Sequence, residues 1–317
     1  MRQLLLLLTL ISAAAAQPPP KASHWLPWLG EYTAGTDRLV FLELDGKPTA
    51  FVKGQGYFIL SETSRGVFRF PGNGIYADKA LTLGREPHWG DQRLDRVKLG
   101  PEEGNVFRLK PLRPVDELRR EALAAKPPAE SPDLLPPDLV DLASLDKTIR
   151  LDIRYASTDN FLSTPLYEKA RAMLQRPAAE ALLRAHQRLK QQGYGLLIHD
   201  AYRPWYVTKI FWDATPGDKH EFVADPAKGS RHNRGCAADL TLYHLASGKP
   251  VEMVGVYDEM SERSYPNYPG GTSRQRWHRA LLRKAMEAEG FTVFESEWWH
   301  FDYKDWRKYA IGNIALR

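Results

Sequence analysis

Hydrophobic and polar positions follow different periods in the two halves of the chain. Between Trp25 and about Leu112 the apolar residues come in short β-type runs: Arg38 to Leu44, Thr49 to Val52, Tyr57 to Leu60, Val67 to Phe70 and Val106 to Leu109. Glycine-bearing breaks such as Asp45-Gly46 separate them. This spacing, rich in Val, Phe and Tyr, predicts a small all-β domain, sandwich or barrel, over residues 24–113. Further along, the period becomes helical. Pro177 to Gln192 sets Ala179, Leu182, Leu183 and Leu189 on one face and stops at Gly193, and Ser273 to Glu289 does the same with Trp277, Leu281 and Ala285 before Gly290. Strand-like runs follow each helix, Tyr194 to His199 and Phe291 to Phe294, with Ala237 to Leu242 between them. Helices mixed with strands in one stretch predict an α+β domain over residues 138–317.

Between the two, Val115 to Ala125 reads as a short charged helix. Lys126 to Pro137 holds five prolines, which neither continue a helix nor join a central strand, so 114–137 reads as a helical stretch and a semi-rigid linker. At the other end, Arg2, the apolar run Leu4 to Ile11 and the alanines 13–16 have the order of a secretory signal peptide cut near Ala16. That run is too short to span a bilayer. The expectation is an exported protein, periplasmic or secreted, with no integral membrane segment. Composition changes this picture little. The net charge of +5 over 317 residues forms no basic stripe, which argues against nucleic acid, and the single cysteine, Cys236, allows no internal disulfide.

The polar chemistry is concentrated in Ser230 to Thr241 and in Glu295 to Tyr303. His232 and Asp239 stand seven apart with a turn, Asn233-Arg234-Gly235, between them, and His300 supplies a second imidazole. Zinc accepts such a set of two nitrogens and one oxygen and keeps a fourth corner for water, whose proton then comes off near neutral pH. Glu297 is left over as the general base. An ideal strand would point positions 297 and 300 to opposite faces, so a bulge near Trp299 is required; the other reading has His300 merely packed on tryptophan. Arg203, at a strand end after Asp200-Ala201-Tyr202, either stabilises an oxyanion, pairs with Asp200 or is a surface charge. His199 reads as a strand residue and not a fourth ligand. His24 and His88, each beside a tryptophan, read as packing or surface aromatics.

These residues resemble a known family. Tyr194-Gly195-Leu196-Leu197, Asp200-Ala201-Tyr202-Arg203-Pro204, Ser230-x-His232-x-Arg234-Gly235-x-Ala237-x-Asp239-Leu240-Thr241-Leu242 and Glu297-Trp298-Trp299-His300 are similar to motifs of the VanX-type D-alanyl-D-alanine dipeptidases, as are Arg154-Tyr155-Ala156 and Asp159-Asn160-Phe161. The resemblance runs from about Asp138 to Tyr303 and does not reach the β-rich domain. It implies a zinc D,D-peptidase fold, hedgehog-like, holding one Zn²⁺ per chain through His232, Asp239 and His300. Glu297 would be the base and Arg203 would stabilise the transition state. Ser230 and Asp258 fall where the family contacts the dipeptide's carboxylate and ammonium.

The activity so implied is hydrolysis of D-alanyl-D-alanine to two D-alanines in cell-wall turnover, since an exported enzyme cannot drain a cytosolic pool. Two rivals stand beside it. One is a D,D-carboxypeptidase or endopeptidase acting on peptidoglycan stems. The other is a noncatalytic zinc-containing wall-binding protein, with the β-rich domain contacting peptidoglycan.

Overall fold

A computed structural model describes residue 24 and residues 26–98 and 107–316; the expected leader, residues 1–16, lies outside them. The first ten strands are β1 (Gly30–Ala34), β2 (Asp37–Leu44), β3 (Lys47–Val52), β4 (Gly56–Ile59), β5 (Ser61–Ser64), β6 (Val67–Arg69), β7 (Ala80–Thr82), β8 (His88–Trp89), β9 (Gln92–Arg93) and β10 (Asp95–Val97). They form two antiparallel five-stranded sheets, ordered β10-β1-β2-β3-β4 and β5-β6-β7-β8-β9. Asp45 and Gly46 turn β2 into β3 with φ of 49° and 78°, the left-handed pair that a two-residue hairpin requires. Phe41, Phe68, Leu81 and Trp89 fill this unit's own core.

The boundary lies earlier than residue 113. Phe107 and Leu109, read from sequence as the last β-run of the first domain, pack against the second domain's core. Leu109 N–H donates to Phe161 O (2.8 Å) and Leu112 N–H to Ala214 O (2.9 Å). The helices are α1 (Val115–Ala124), α2 (Leu142–Leu145), α3 (Arg176–Lys190), α4 (Trp205–Ala214) and α5 (Ser273–Glu287). Helix α1 packs on α4 and buries Val115, Leu118 and Ala122. Nor do residues 126–137 hang free: Glu130 accepts from Ile311 N–H (2.6 Å) and from Arg234, and Leu135 N–H donates to Lys308 O. An apolar stripe on α1 needs a surface to bury against, and that surface is the second domain.

That domain has a two-stranded ribbon, β11 (Leu139–Asp141) with β13 (Met173–Gln175), and a main sheet of β12 (Arg150–Leu151), β14 (Tyr194–Asp200), β15 (Ala237–His244), β16 (Phe291–Phe294) and β17 (Glu297–Tyr303). Its order is β12-β14-β15-β17-β16, antiparallel except for β12 with β14. Helices α3 and α5 pack on each other and on this sheet. The whole is an α+β architecture.

Two histidines on the buried faces of these helices, His186 of α3 and His278 of α5, make stability pH-dependent. Leu196 N–H donates to His186 Nδ1 (3.2 Å), and His186 Nε2 lies 2.8 Å from Thr148 Oγ1, so the ring is bound as the neutral form. Burial lowers its pKa to about 4, and burial together with the neighbouring His244 lowers that of His278 to about 4. Unfolded histidine titrates near ~6.5, so between that pH and about 4 the unfolded chain binds the extra protons. The contribution is complete above pH ~6.5 and is lost as the pH falls toward 4. Urea midpoints measured from pH 7.5 down to 4.5 should fall, and His186→Gln should flatten the slope.

Candidate metal centre

Three neighbouring strands set three acidic or imidazole side chains in one row. Asp200 at the end of β14 stands opposite Asp239 of β15, which stands opposite His300 of β17. Strand β14 carries one extra residue, His199, between its pairings at Ile198 and Asp200. Strand β17 bulges further, for Phe294 pairs with Glu297 while the adjacent Val293 pairs with Phe301. This bulge turns Glu297 and His300 to the same side, Oε2 to Nδ1 3.5 Å, which a regular strand would not do. His232 enters from a single 3₁₀ turn, His232–Arg234, that ends at Gly235 with φ 65°. A Cβ at Gly235 would also come within 2.6 Å of Leu139 Cδ2, so the turn requires glycine twice over.

His232 Nε2, Asp239 Oδ1 and His300 Nδ1 lie within 4.8 Å of one another, and all three residues are buried. The outer nitrogens fix the tautomers. His232 Nδ1 is 2.6 Å from the Ala201 carbonyl and His300 Nε2 is 2.9 Å from Asp302 Oδ1, so each outer nitrogen carries its hydrogen and donates it. Both inner nitrogens therefore aim lone pairs at the same point. Asp239 Oδ1 aims there too, 3.2 Å from His232 Nε2 and 3.0 Å from His300 Nδ1, a buried oxygen with no hydrogen-bond donor. Its other oxygen accepts from Tyr257 OH (3.0 Å). Three electron-pair donors converging on one buried point repel one another and suit a cation. Two imidazoles and one carboxylate are a donor set that zinc accepts.

Around this point lies a pocket of about 120 Å³, lined by Phe161, Phe211, Met260 and Trp299 and by the polar Arg203, Ser230, Asp258 and Glu297. Arg203 is buried at the pocket, so it is no surface charge, and it pairs with Asp200. Nε and Nη2 each lie 2.8 Å from Asp200 Oδ2, and the guanidinium is laid over the Phe211 ring at 4.7 Å. Tyr167 OH donates to Asp200 Oδ1 (2.7 Å), completing the anchor. Burial opposes the Arg203 charge, but Asp200, Tyr155, Tyr167 and Asp239 together more than offset this and hold its pKa well above the ordinary value. Burial lifts the Glu297 carboxyl to about 7 against the pull of His300. Asp258 is lifted well above the carboxylate range by burial and by the nearby Asp239, while Tyr155 OH donates to it.

Ser230 lines the pocket and takes the His232 N–H on its Oγ (3.2 Å). His199 stays outside the ligand set, stacked on Tyr257 and 3.3 Å from Asp152 Oδ2. Burial pushes the Cys236 thiol up to about 12, so it does not compete as a thiolate. His24 pairs with Glu62 at 2.8 Å, and His88 lies in strand β8.

Sequence reasoning missed three supports. Asp302 and Tyr257 touch the candidate ligands His300 and Asp239, and fully buried Asn233 donates to Arg203 O (2.8 Å) and Thr208 Oγ1 (2.9 Å). Asp302, two residues past His300, was open to detection as a carboxylate next to an imidazole. Tyr257 and Asn233 left no such signal.

The family described as D-ala-D-ala dipeptidase matches residues 137–310. A D-alanyl-D-alanine dipeptidase of Escherichia coli K12 is 35% identical over 174 residues, which cover 55% of this chain and 89% of that protein. One from Enterococcus faecium is 37% identical over 175 residues, 50% of this chain and 87% of that protein. Among solved structures, an LD-carboxypeptidase aligns with a TM-score of 0.30 at 17% identity, covering 58% of this chain and 71% of that one.

Proposed function

The chain belongs to the D-ala-D-ala dipeptidase family, and we propose that it hydrolyses free D-alanyl-D-alanine to two D-alanines using one zinc ion held by His232, Asp239 and His300. The observation that carries this reading is the buried, donorless Asp239 Oδ1 set between two inward-facing imidazole lone pairs. Zinc bound there supplies Lewis acidity toward water and the peptide carbonyl. The protein's own groups do the rest. Glu297, beside His300, takes the proton of the attacking water and hands it to the leaving amine nitrogen. Arg203, held flat by Asp200 and Phe211, presents N–H groups to the carbonyl oxygen as it gains negative charge.

Asp258 suits the substrate ammonium, since a buried carboxyl that is costly to ionise alone regains its charge when a cation arrives. Ser230, on the same pocket wall as the ligand turn, suits the carboxylate end. The apolar rings keep bulk water away from the reacting atoms.

Free and N-acetylated D-alanyl-D-alanine, compared on the purified protein, test the substrate assignment. Loss of the ammonium leaves Asp258 without its partner, so the acetylated form should react slower by roughly a hundredfold or more. Equal rates would favour the stem-trimming reading, and no hydrolysis of either would favour a wall-binding protein.

The expected leader supports an exported enzyme that recycles dipeptide released from the wall. No helix among the described residues is long and apolar enough to cross a membrane. Contact of the β-rich domain with peptidoglycan belongs to the same proposal.

A further inference from the structure

Strand β2 reads Leu39-Val40-Phe41-Leu42 with no polar interruption, and the cause is coverage of both its faces. Leu39 and Phe41 enter the core of the β-domain, whereas Val40 and Leu42 turn outward and pack with Val254 and Tyr268 of the second domain. Beside them the fully buried Glu43 grips the same segment twice. Its N–H donates to Gly271 O (3.2 Å), and its Oε2 accepts from Ser273 N–H (2.7 Å) at the first turn of α5, where a negative charge meets the helix N-terminus. Arg276 closes the seam by donating to Gly271 O (3.0 Å) and to Glu43 O. At the outer end Arg38 Nη1 donates to Glu262 Oε1 (2.8 Å).

The segment held in this way, residues 254–272, contains the pocket residues Asp258 and Met260 and also Tyr257, which bonds Asp239. Apart from the single 3₁₀ turn Glu262–Ser264 it has no helix or strand. Asp258 sits at φ 61°, a left-handed conformation that is costly for a residue other than glycine and persists only where its surroundings over-determine it. Tyr155 constrains it from the pocket side. Strand β2 does not touch Asp258 itself but holds its loop on either side, at Val254 and at Glu262, Tyr268 and Gly271.

We infer that the N-terminal β-domain is a brace that fixes this loop and so sets the affinity for the dipeptide. This gives a specificity role to a part of the chain that precedes the family match at residue 137. Only the kinetic part of its test rests on the dipeptidase reading.

The test compares Arg38→Ala, Glu262→Ala and the double variant, all in the full chain loaded with zinc, with Leu42→Ala as a separate probe of the apolar contact. Amide hydrogen exchange across 254–272 should accelerate by about tenfold in each. KM for D-alanyl-D-alanine should rise by about five- to tenfold, with kcat within about twofold and bound zinc unchanged. The two polar changes should be non-additive in loop exchange, because both delete the Arg38–Glu262 contact; Glu262→Ala is the cleaner of the two, since Arg38 also donates to the buried Glu31. Unchanged exchange, or faster exchange with KM unmoved in every variant, would overturn the brace. If the wild type does not cleave the dipeptide, the dipeptidase reading falls, and the exchange data alone still decide whether the β-domain holds the loop.

Discussion

Glu297→Gln is expected to lower kcat for D-alanyl-D-alanine by about a thousandfold while bound zinc stays at the wild-type level. The amide keeps the size and partial burial of the side chain but can neither accept the water's proton nor return it to the leaving nitrogen, and positioned proton transfer contributes roughly 10²–10⁴-fold. Zinc should be retained because Glu297 stands outside the ligand triad, its Oε2 3.5 Å from His300 Nδ1. Metal analysis and D-alanine release on the same preparation check both halves. Undiminished hydrolysis in a zinc-replete variant would remove Glu297 from its role.

Arg203→Lys should cost about 10²–10³ in kcat with little change in KM, the effect expected for a donor that matters mainly as charge develops on the substrate oxygen. Lysine keeps the positive charge, and so keeps Asp200 from being a buried unpaired carboxylate. It lacks the planar fork that now lies 2.8 Å from Asp200 Oδ2 through two nitrogens while stacking on Phe211. Arg203→Ala is the poorer probe, since an isolated Asp200 would destabilise the fold by about 3–5 kcal/mol. Steady-state kinetics on the free dipeptide, with circular dichroism to confirm the fold, read this out. A KM effect without a kcat effect would place Arg203 in ground-state binding instead.

The convergence of His232, Asp239 and His300 was open to sequence reading in part: turn chemistry and strand parity mark each segment locally, whereas the pairing that sets Asp239 opposite His300 joins residues far apart in sequence. Asn233-Arg234-Gly235 marks the turn that delivers His232, and the conflict between Glu297 and His300 on an ideal strand demanded the bulge seen between Glu297 and Phe301. Helix α4 was not legible. Its sequence, Trp205 to Ala214, is apolar nearly all round because seven of its residues are buried, so no stripe stands out. The Phe107–Leu112 segment misled for a related reason: its β-type pattern is real, but which domain supplies its partner depends on contacts with Phe161 and Ala214, far away in sequence. The unbroken apolar run of β2 held information that becomes readable only with both neighbours in view, since burial on two faces and burial in one thick core leave the same trace.

Reconstitution tests the central claim most directly. Protein stripped with a chelator would be titrated with Zn²⁺ while D-alanine release from the free dipeptide is followed, in the wild type and in Asp239→Ala. The account predicts activity that vanishes on stripping, returns in proportion to added metal and saturates at one equivalent per chain, with no such recovery when the Asp239 oxygen is gone. Full hydrolysis by the stripped wild type, or equal zinc-dependent recovery in Asp239→Ala, would contradict it.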